Sequence, residues 1–326
     1  MPELRRVPVN GIELNVALAG SGPAVLLLHG FPHTWQVWTD VMADLSDRYR
    51  VIAPDLRGFG ASSRAAAGYD AESLAEDAAA LLTALDVPSA AVVGIDAGTP
   101  PAFLLSLRRP ERVRRLVVME SLLGRLPGAE DFLADGPPWW FGFHAAAGLA
   151  ETVLEGQESH YIDWFLRAGT LGDGVRPPLR DAFVAAYTGR EALRCAFSYY
   201  RALPESTTQI AKAVAASRLT VPTMAVGAHP VGAALEHQLR PVTDHLTGHI
   251  IEDCGHIIPL HRPQALLALL RPFLTVDHQE APTSIARGWT RGVRARRPDR
   301  VDRRLGRAEG TEAGGGERQA RPLSPP

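Results

Sequence analysis

Residues 90–98, AAVVGIDAG, constrain the fold of this chain most, because an apolar β-branched run ends there in Gly-x-Asp-x-Gly and a helix-compatible segment follows. Glycine on either side of the centre allows the backbone to turn sharply from a strand into a helix, since a side chain at either position would collide with the neighbouring element. We call residues 94–98 the elbow. The elbow is predicted to present Asp96 at the carboxyl end of a sheet.

Asp96 has two interpretations. When the centre of such an elbow is a serine, it attacks acyl groups, whereas an aspartate that attacks a saturated carbon forms an ester that water can cleave. A nucleophilic Asp96 therefore points to epoxides or alkyl halides as substrates. The alternative is an aspartate that only caps the following helix, and these residues alone leave both open.

Composition sets broad limits on the protein. With 326 residues, 46% hydrophobic and 21% charged, the chain can form one large α/β domain with an insertion, or two domains. The net charge of −2 argues against whole-protein attraction to nucleic acid or anionic membranes. The chain has neither an apolar run of membrane-spanning length nor a secretory signal, so we expect a cytoplasmic protein. Cys195 and Cys254 form neither a metal-binding spacing nor a disulfide framework.

Strand and helix patterns alternate along most of the chain. Residues 4–19 alternate apolar and polar side chains around Asn10-Gly11, which predicts an antiparallel hairpin. Further strands are predicted at residues 24–28, 49–54, 90–95, 113–119, 223–227 and 248–253. Helices are predicted at residues 35–45, 71–85, 233–246 and 262–274. This alternation is typical of a mainly parallel sheet covered on both faces.

Two segments depart from the alternation. Between residues 121 and 205 no buried strand is predicted, aromatic residues are dense, and residues 149–154, 161–166 and 179–187 have helical patterns. We predict a helical cap at 121–205, inserted between the two parts of an α/β core at 1–120 and 206–275. Residues 276–326 are rich in Arg, Gly and Pro, and we predict a disordered, solvated tail there.

Three further motifs appear in a fixed order with the elbow. His29-Gly30-Phe31-Pro32 ends the third predicted strand, residues 55–62 read DLRGFGAS, and Gly255-His256 follows the last predicted strand. In this order, over about residues 10 to 275, the chain resembles the α/β-hydrolase superfamily. It is most similar to the branch with an aspartate nucleophile, which contains epoxide hydrolases and haloalkane and fluoroacetate dehalogenases. The resemblance implies an α/β-hydrolase fold with a mostly parallel eight-stranded sheet, helices on both faces and an inserted cap. It implies no metal or organic cofactor.

The resemblance also implies roles for residues of the core. Asp96 would be the nucleophile, and His256 would be the base that activates water against the ester. The backbone N–H groups of Phe31 and Ala97 would hold the second oxygen of the nucleophile.

The acid that orients His256 has two customary positions in the superfamily. The turn after the strand at 223–227 has no acid, so Glu120, which follows the strand at 113–119, is assigned, with Glu252 and Asp253 as rivals.

The leaving atom needs hydrogen-bond donors from the cap. By resemblance these are Trp139, Trp140 and Tyr200, with Tyr199 as the alternative tyrosine. The competing interpretation is that these aromatic residues only line the pocket or pack in the cap.

Two residues near the elbow bear on the substrate. Ala97 and Pro100 stand where fluoroacetate dehalogenases carry arginines that hold a carboxylate, so fluoroacetate is not expected. Small apolar residues around the elbow and an aromatic cap favour a bulky, apolar and even polycyclic substrate.

The sequence therefore predicts an epoxide hydrolase that acts through a covalent aspartyl ester. The alternatives are a haloalkane dehalogenase with the same residues and a non-catalytic ligand-binding protein on the same fold. An ordinary esterase is disfavoured because the elbow holds no serine. The expected partner is a small-molecule epoxide, with no nucleic acid and no membrane, and a homodimer is left open.

Overall fold

The sheet is built from strands whose boundaries follow the apolar runs of the sequence. The computed structural model of the protein describes residues 2–275. Its strands are β1 (Glu3–Val9), β2 (Ile12–Ala19), β3 (Ala24–Leu28), β4 (Arg50–Pro54), β5 (Ala90–Ile95), β6 (Val113–Met119), β7 (Thr223–His229) and β8 (Leu246–Gly255). They form an eight-stranded sheet in the order β1-β2-β4-β3-β5-β6-β7-β8. β1 and β2 pair antiparallel, as do β2 and β4, and the other pairs are parallel.

The helices cover the sheet and form the inserted region between β6 and β7. The α-helices are α1 (Thr39–Leu45), α2 (Ala71–Ala84), α3 (Thr99–Arg108), α4 (Trp139–Ala145), α5 (Leu149–Leu154), α6 (Glu158–Ala168), α7 (Pro177–Ala186), α8 (Arg190–Arg201), α9 (Leu203–Ala216), α10 (Ala234–Leu239), α11 (Ile258–His261) and α12 (Pro263–Thr275). Short 3-10 helices cover Trp35–Trp38, Asp96–Gly98 and Pro110–Arg112. No described helix is long and apolar enough to cross a membrane.

The predicted α/β-hydrolase fold class is confirmed. The central strands β3 and β5 are buried along their whole length, as continuous apolar runs require. The helix predicted at 233–246 is wrong in its second half, because α10 ends at Leu239 and Pro241 has no N–H to continue it. The division into core and cap stays a prediction, and the predicted disordered tail at 276–326 lies outside the described residues.

Close contacts between backbones shape the elbow. A Cβ atom built on Gly94 would overlap the carbonyl oxygen of Gly98, and one built on Gly98 would overlap the carbonyl oxygen of Leu28. Both obstacles are backbone atoms, which cannot rotate aside as a side chain can. The two glycines therefore allow α3 to start directly behind β5 and against β3, which fixes the position of Asp96.

Replacing Gly94 by alanine tests this packing. We expect Gly94→Ala to lower the free energy of unfolding by about 2 kcal/mol, the usual cost of overpacking a filled interior. Gly142→Ala is the matched control, because nothing lies within 4 Å of a Cβ built there. Gly142 is in α4, so its replacement should leave stability unchanged or raise it by up to about 1 kcal/mol. Urea unfolding followed by circular dichroism measures both, and equal effects would contradict the packing argument.

Candidate active site

Asp96 follows β5 at the elbow with a φ of +51°, a left-handed conformation that is uncommon for a residue other than glycine. Its Oδ1 accepts a hydrogen bond of 2.8 Å from the Phe31 N–H, and the Ala97 N–H also donates to the carboxylate. Gly30 allows the Phe31 backbone to come this close, because a Cβ at Gly30 would overlap the Asp96 side chain. The structure thus brings both predicted backbone donors to the predicted nucleophile.

His256 lies between two carboxylates. Its Nε2 is 3.3 Å from Asp96 Oδ2, and its Nδ1 is 3.1 Å from Glu120 Oε2. β5, β6 and β8 each deliver one of these residues just beyond its carboxyl end, where parallel strands meet at one edge of the sheet. The predicted constellation of Asp96, His256 and Glu120 is therefore assembled in space.

Glu120 is held rigidly beside the imidazole. It is buried, and its Oε1 accepts a 2.6 Å hydrogen bond from the Ala228 N–H while Oε2 faces His256. The rival acids Glu252 and Asp253 are both exposed. The geometry therefore favours Glu120 as the partner of His256.

The charged forms of Asp96 and His256 stabilise each other. Burial alone would raise the pKa of Asp96, but hydrogen bonds from His256, Phe31 and Ala97 lower it below its ordinary value. Burial alone would lower the pKa of His256, but its hydrogen bonds and charge attraction with Asp96 and Glu120 raise it to about 10. His256 is therefore protonated at neutral pH and lies between Asp96 and Glu120.

A cavity of about 840 Å³ lies above this constellation. Asp96, Glu120 and His256 line one part of it, and Arg125, Thr207 and Thr208 are further polar lining residues. Most of the wall is apolar. Its aromatic members are Phe31, Phe132, Trp140, Phe141, Trp164, Phe165, Tyr199 and Tyr200.

The structure places three of the four candidate donors in the cavity wall. Trp140, Tyr199 and Tyr200 line the cavity, whereas Trp139 does not. Trp139 is 57% exposed and packs against Trp140 and Trp164, with ring centroids 5.9 and 5.6 Å away. The structure therefore does not bring Trp139 to the leaving atom.

Tyr199 and Tyr200 are both suited to donate hydrogen bonds. Each is 6% exposed, and neither hydroxyl has a hydrogen-bond partner among residues 2–275. Burial and the negative charge of Asp96 raise the pKa of both phenols well above the ordinary value. Both hydroxyls are therefore protonated and free to donate into the cavity.

His144 was missed by the sequence analysis. It is buried in the inserted region between β6 and β7, stacks on Phe197 at 4.1 Å between ring centroids and meets the ring of Tyr200 edge-on at 4.3 Å. Burial and the charge of Arg201 lower the pKa of His144 to about 3, so the ring is neutral. Its Nε2 lies 2.6 Å from the Tyr161 hydroxyl. The sequence did carry one signal for His144. It stands four residues after Trp140, and this spacing places both side chains on the same side of α4.

No group of three or more His, Cys, Asp or Glu side chains within residues 2–275 is arranged to hold a metal ion.

Comparisons with known proteins agree with the observed fold. Residues 23–263 match the family model for the alpha/beta hydrolase fold. A soluble epoxide hydrolase of Corynebacterium sp. (strain C12) is 28% identical over 277 residues, which cover 79% of this chain and 92% of that protein. A fluoroacetate dehalogenase of Burkholderia sp. is 28% identical over 209 residues, covering 61% and 69%.

A solved structure agrees over a similar length. The crystal structure of wild-type Cfl2 from Burkholderia cenocepacia superposes with a TM-score of 0.72 at 32% identity, covering 84% of this chain and 99% of that one. The resemblance to the α/β-hydrolase superfamily and its aspartate branch is thereby confirmed.

The pKa of His256 offers a test of the site that needs no substrate. Replacing Asp96 by asparagine removes the charge that stabilises the imidazolium, so we expect the pKa of His256 to fall from about 10. The imidazolium would then be lost at lower pH than in the wild type. Titration of the imidazole followed by NMR measures the change. The control is Asp163→Asn, because Asp163 forms an ion pair with Arg180 in the inserted region between β6 and β7. An unchanged pKa in Asp96→Asn would contradict the geometry.

Proposed function

Because the chain belongs to the alpha/beta hydrolase fold family and is a hydrolase, we propose that it opens epoxides to diols through a covalent ester on Asp96. The observation that carries the proposal is the placement of an ionised carboxylate, an imidazole and two buried tyrosine hydroxyls around one cavity. The carboxylate is the nucleophile, and the tyrosines supply protons to the leaving oxygen. The relatives named epoxide hydrolase support this choice.

In the first half-reaction, the Asp96 carboxylate attacks a carbon of the epoxide. A carbon–oxygen bond of the ring breaks, an ester forms, and the ring oxygen takes a proton from Tyr200 or Tyr199. An alkoxide expelled into an apolar cavity would be costly, so the hydroxyls stabilise the charge as it develops. A tyrosine can give up its proton whereas a tryptophan N–H cannot, which favours an epoxide over a halide.

In the second half-reaction, His256 acts on water. Ester formation removes the charge of Asp96, which is one of the causes that raise the pKa of His256. The imidazolium then loses its proton more readily, and this proton restores the hydroxyl of the tyrosine that protonated the ring oxygen. The neutral imidazole accepts a proton from water, and the hydroxide attacks the carboxyl carbon of Asp96. The bond from that carbon to the product oxygen then breaks, the product oxygen takes the proton of the added hydroxyl, the diol leaves and the Asp96 carboxylate is regenerated. Phe31 and Ala97 hold the oxyanion, and Glu120 stabilises the imidazolium that forms.

The proposed substrate is bulky and largely apolar, because the cavity is large and aromatic. A polycyclic epoxide is compatible with its volume. Ala97 and Pro100 place no cation beside the nucleophile, so a small carboxylate such as fluoroacetate is not proposed.

Trapping the ester tests the reaction. In His256→Ala, Asp96 should be alkylated but not regenerated, so incubation with styrene oxide should add the full mass of the epoxide to the peptide that contains Asp96. The double variant Asp96→Asn/His256→Ala should show no adduct. Mass spectrometry of the intact protein and its peptides measures both. Failure of a whole panel of epoxides to form an adduct would favour the ligand-binding alternative, and turnover of bromoalkanes alone would favour a dehalogenase.

A tyrosine variant tests proton donation. Tyr200→Phe should slow ester formation by about 100-fold, the lower range for general acid catalysis. Tyr199→Phe shows how far the neighbouring hydroxyl substitutes for it. Trp139→Phe should leave the rate unchanged, because Trp139 lies outside the cavity wall. Rapid-quench experiments measure the rate of ester formation in a single turnover of each variant. A wild-type rate in the double variant Tyr199→Phe/Tyr200→Phe would contradict the proposed role of the tyrosines.

A further inference from the structure

His261 joins two loops that lie against each other beside the site. We call residues 254–261 the base loop, since it contains His256, and residues 169–174 the cap loop, since it follows α6. His261 is at the end of α11, five residues after His256, and is only 9% exposed. The function proposed above gives it no role.

The two ring nitrogens of His261 have different partners. The Gly255 N–H donates a 2.8 Å hydrogen bond to Nδ1. Since a backbone N–H can only donate, Nδ1 accepts, and the proton of the neutral ring is on Nε2. Nε2 lies 3.0 Å from Asp173 Oδ2 in the cap loop and donates to it. His261 thus connects the residue before His256 to the cap loop.

The backbones of the two loops also meet on either side of His256. The Ile257 N–H donates a 2.9 Å hydrogen bond to the Gly169 carbonyl oxygen. A Cβ built on Gly255 would lie 2.5 Å from that oxygen, and one built on Gly169 would lie 2.6 Å from the Ile257 side chain. The loops are therefore in contact without room for a side chain at either glycine.

We propose that His261 is a positioning residue for His256, and that through Asp173 it makes hydrolysis of the ester depend on the cap loop. This inference rests on the proposed function. The Gly255 backbone precedes His256 directly, so its orientation sets where the imidazole lies between Asp96 and Glu120. A displacement of about 1 Å in a reacting group can cost about 100-fold in rate. Ester formation needs His256 only as a neighbouring charge and hydrogen-bond donor to Asp96. Hydrolysis needs the imidazole aligned with the attacking water, so the larger effect belongs to the second half-reaction.

Two substitutions of His261 separate its two hydrogen bonds. In His261→Asn, the amide oxygen lies near the position of Nδ1 and can accept from Gly255. In His261→Gln, the longer amide reaches the position of Nε2 and can donate to Asp173, but the bond to Gly255 is lost. We expect His261→Gln to slow ester hydrolysis at least 10-fold while ester formation stays within two-fold, so that the ester accumulates. His261→Asn should stay within about three-fold in both steps.

A matched pair tests the cap loop. Asp173→Ala removes the acceptor of His261, and Asp163→Ala removes an ion pair that lies within the cap, with Arg180 of α7. We expect Asp173→Ala to slow ester hydrolysis several-fold and Asp163→Ala to leave it unchanged. Rapid quench with styrene oxide, followed by mass spectrometry of the ester fraction over time, measures both half-reactions in every variant. Thermal unfolding reports whether each variant is folded.

The outcomes are distinct. Equal slowing of both half-reactions in His261→Gln, or hydrolysis at the wild-type rate, would overturn the positioning role. No difference between Asp173→Ala and Asp163→Ala would overturn the link to the cap loop, and this pair remains available if His261→Gln does not fold. Absence of any ester in His256→Ala would instead refute the proposed function itself.

Discussion

The ionised state of Asp96 is the condition on which the rest of the site depends. A carboxylate in an apolar cavity would take up a proton if it were left alone, because burial disfavours charge. Three groups prevent this: the N–H of Phe31 beyond β3, the N–H of Ala97 in the elbow, and the ring of His256 beyond β8. The three groups follow three different strands, β3, β5 and β8. The charge of Asp96 therefore depends on how these strands are aligned in the sheet.

Local sequence patterns were enough to predict the buried strands of the sheet and the elbow. Continuous apolar runs marked the buried strands, and the glycines of the elbow marked a turn whose crowding is visible in the backbone contacts of Gly94 and Gly98. These features are encoded within a few residues of sequence each, which is why they could be predicted without the structure. Glu120 was assigned differently, through the resemblance to the superfamily, which offers two positions for the acid, and only one of them holds an acid here.

The helical region between β6 and β7 could be predicted only in outline. The face that a short helix turns inward depends on the helices packed against it, so Trp139 and Trp140 could not be told apart from their sequence. His144 was missed because its environment is supplied by Tyr161, Phe197 and Tyr200, which are on other helices. His261 was likewise given no role, because its partners are a backbone N–H and a side chain 88 residues away.

The position of the acid has a consequence for how this site can change. Glu120 reaches His256 from β6 and touches the neighbouring strand only through the Ala228 backbone. The proposed reaction uses none of the three cavity-wall residues at the end of β7, which are His229, Pro230 and Val231. Exchanging these adjacent side chains alters the wall without removing a group that the proposed reaction uses. The proposed function thus separates substrate range from chemistry, which gives evolution or a designer a short path to a different substrate.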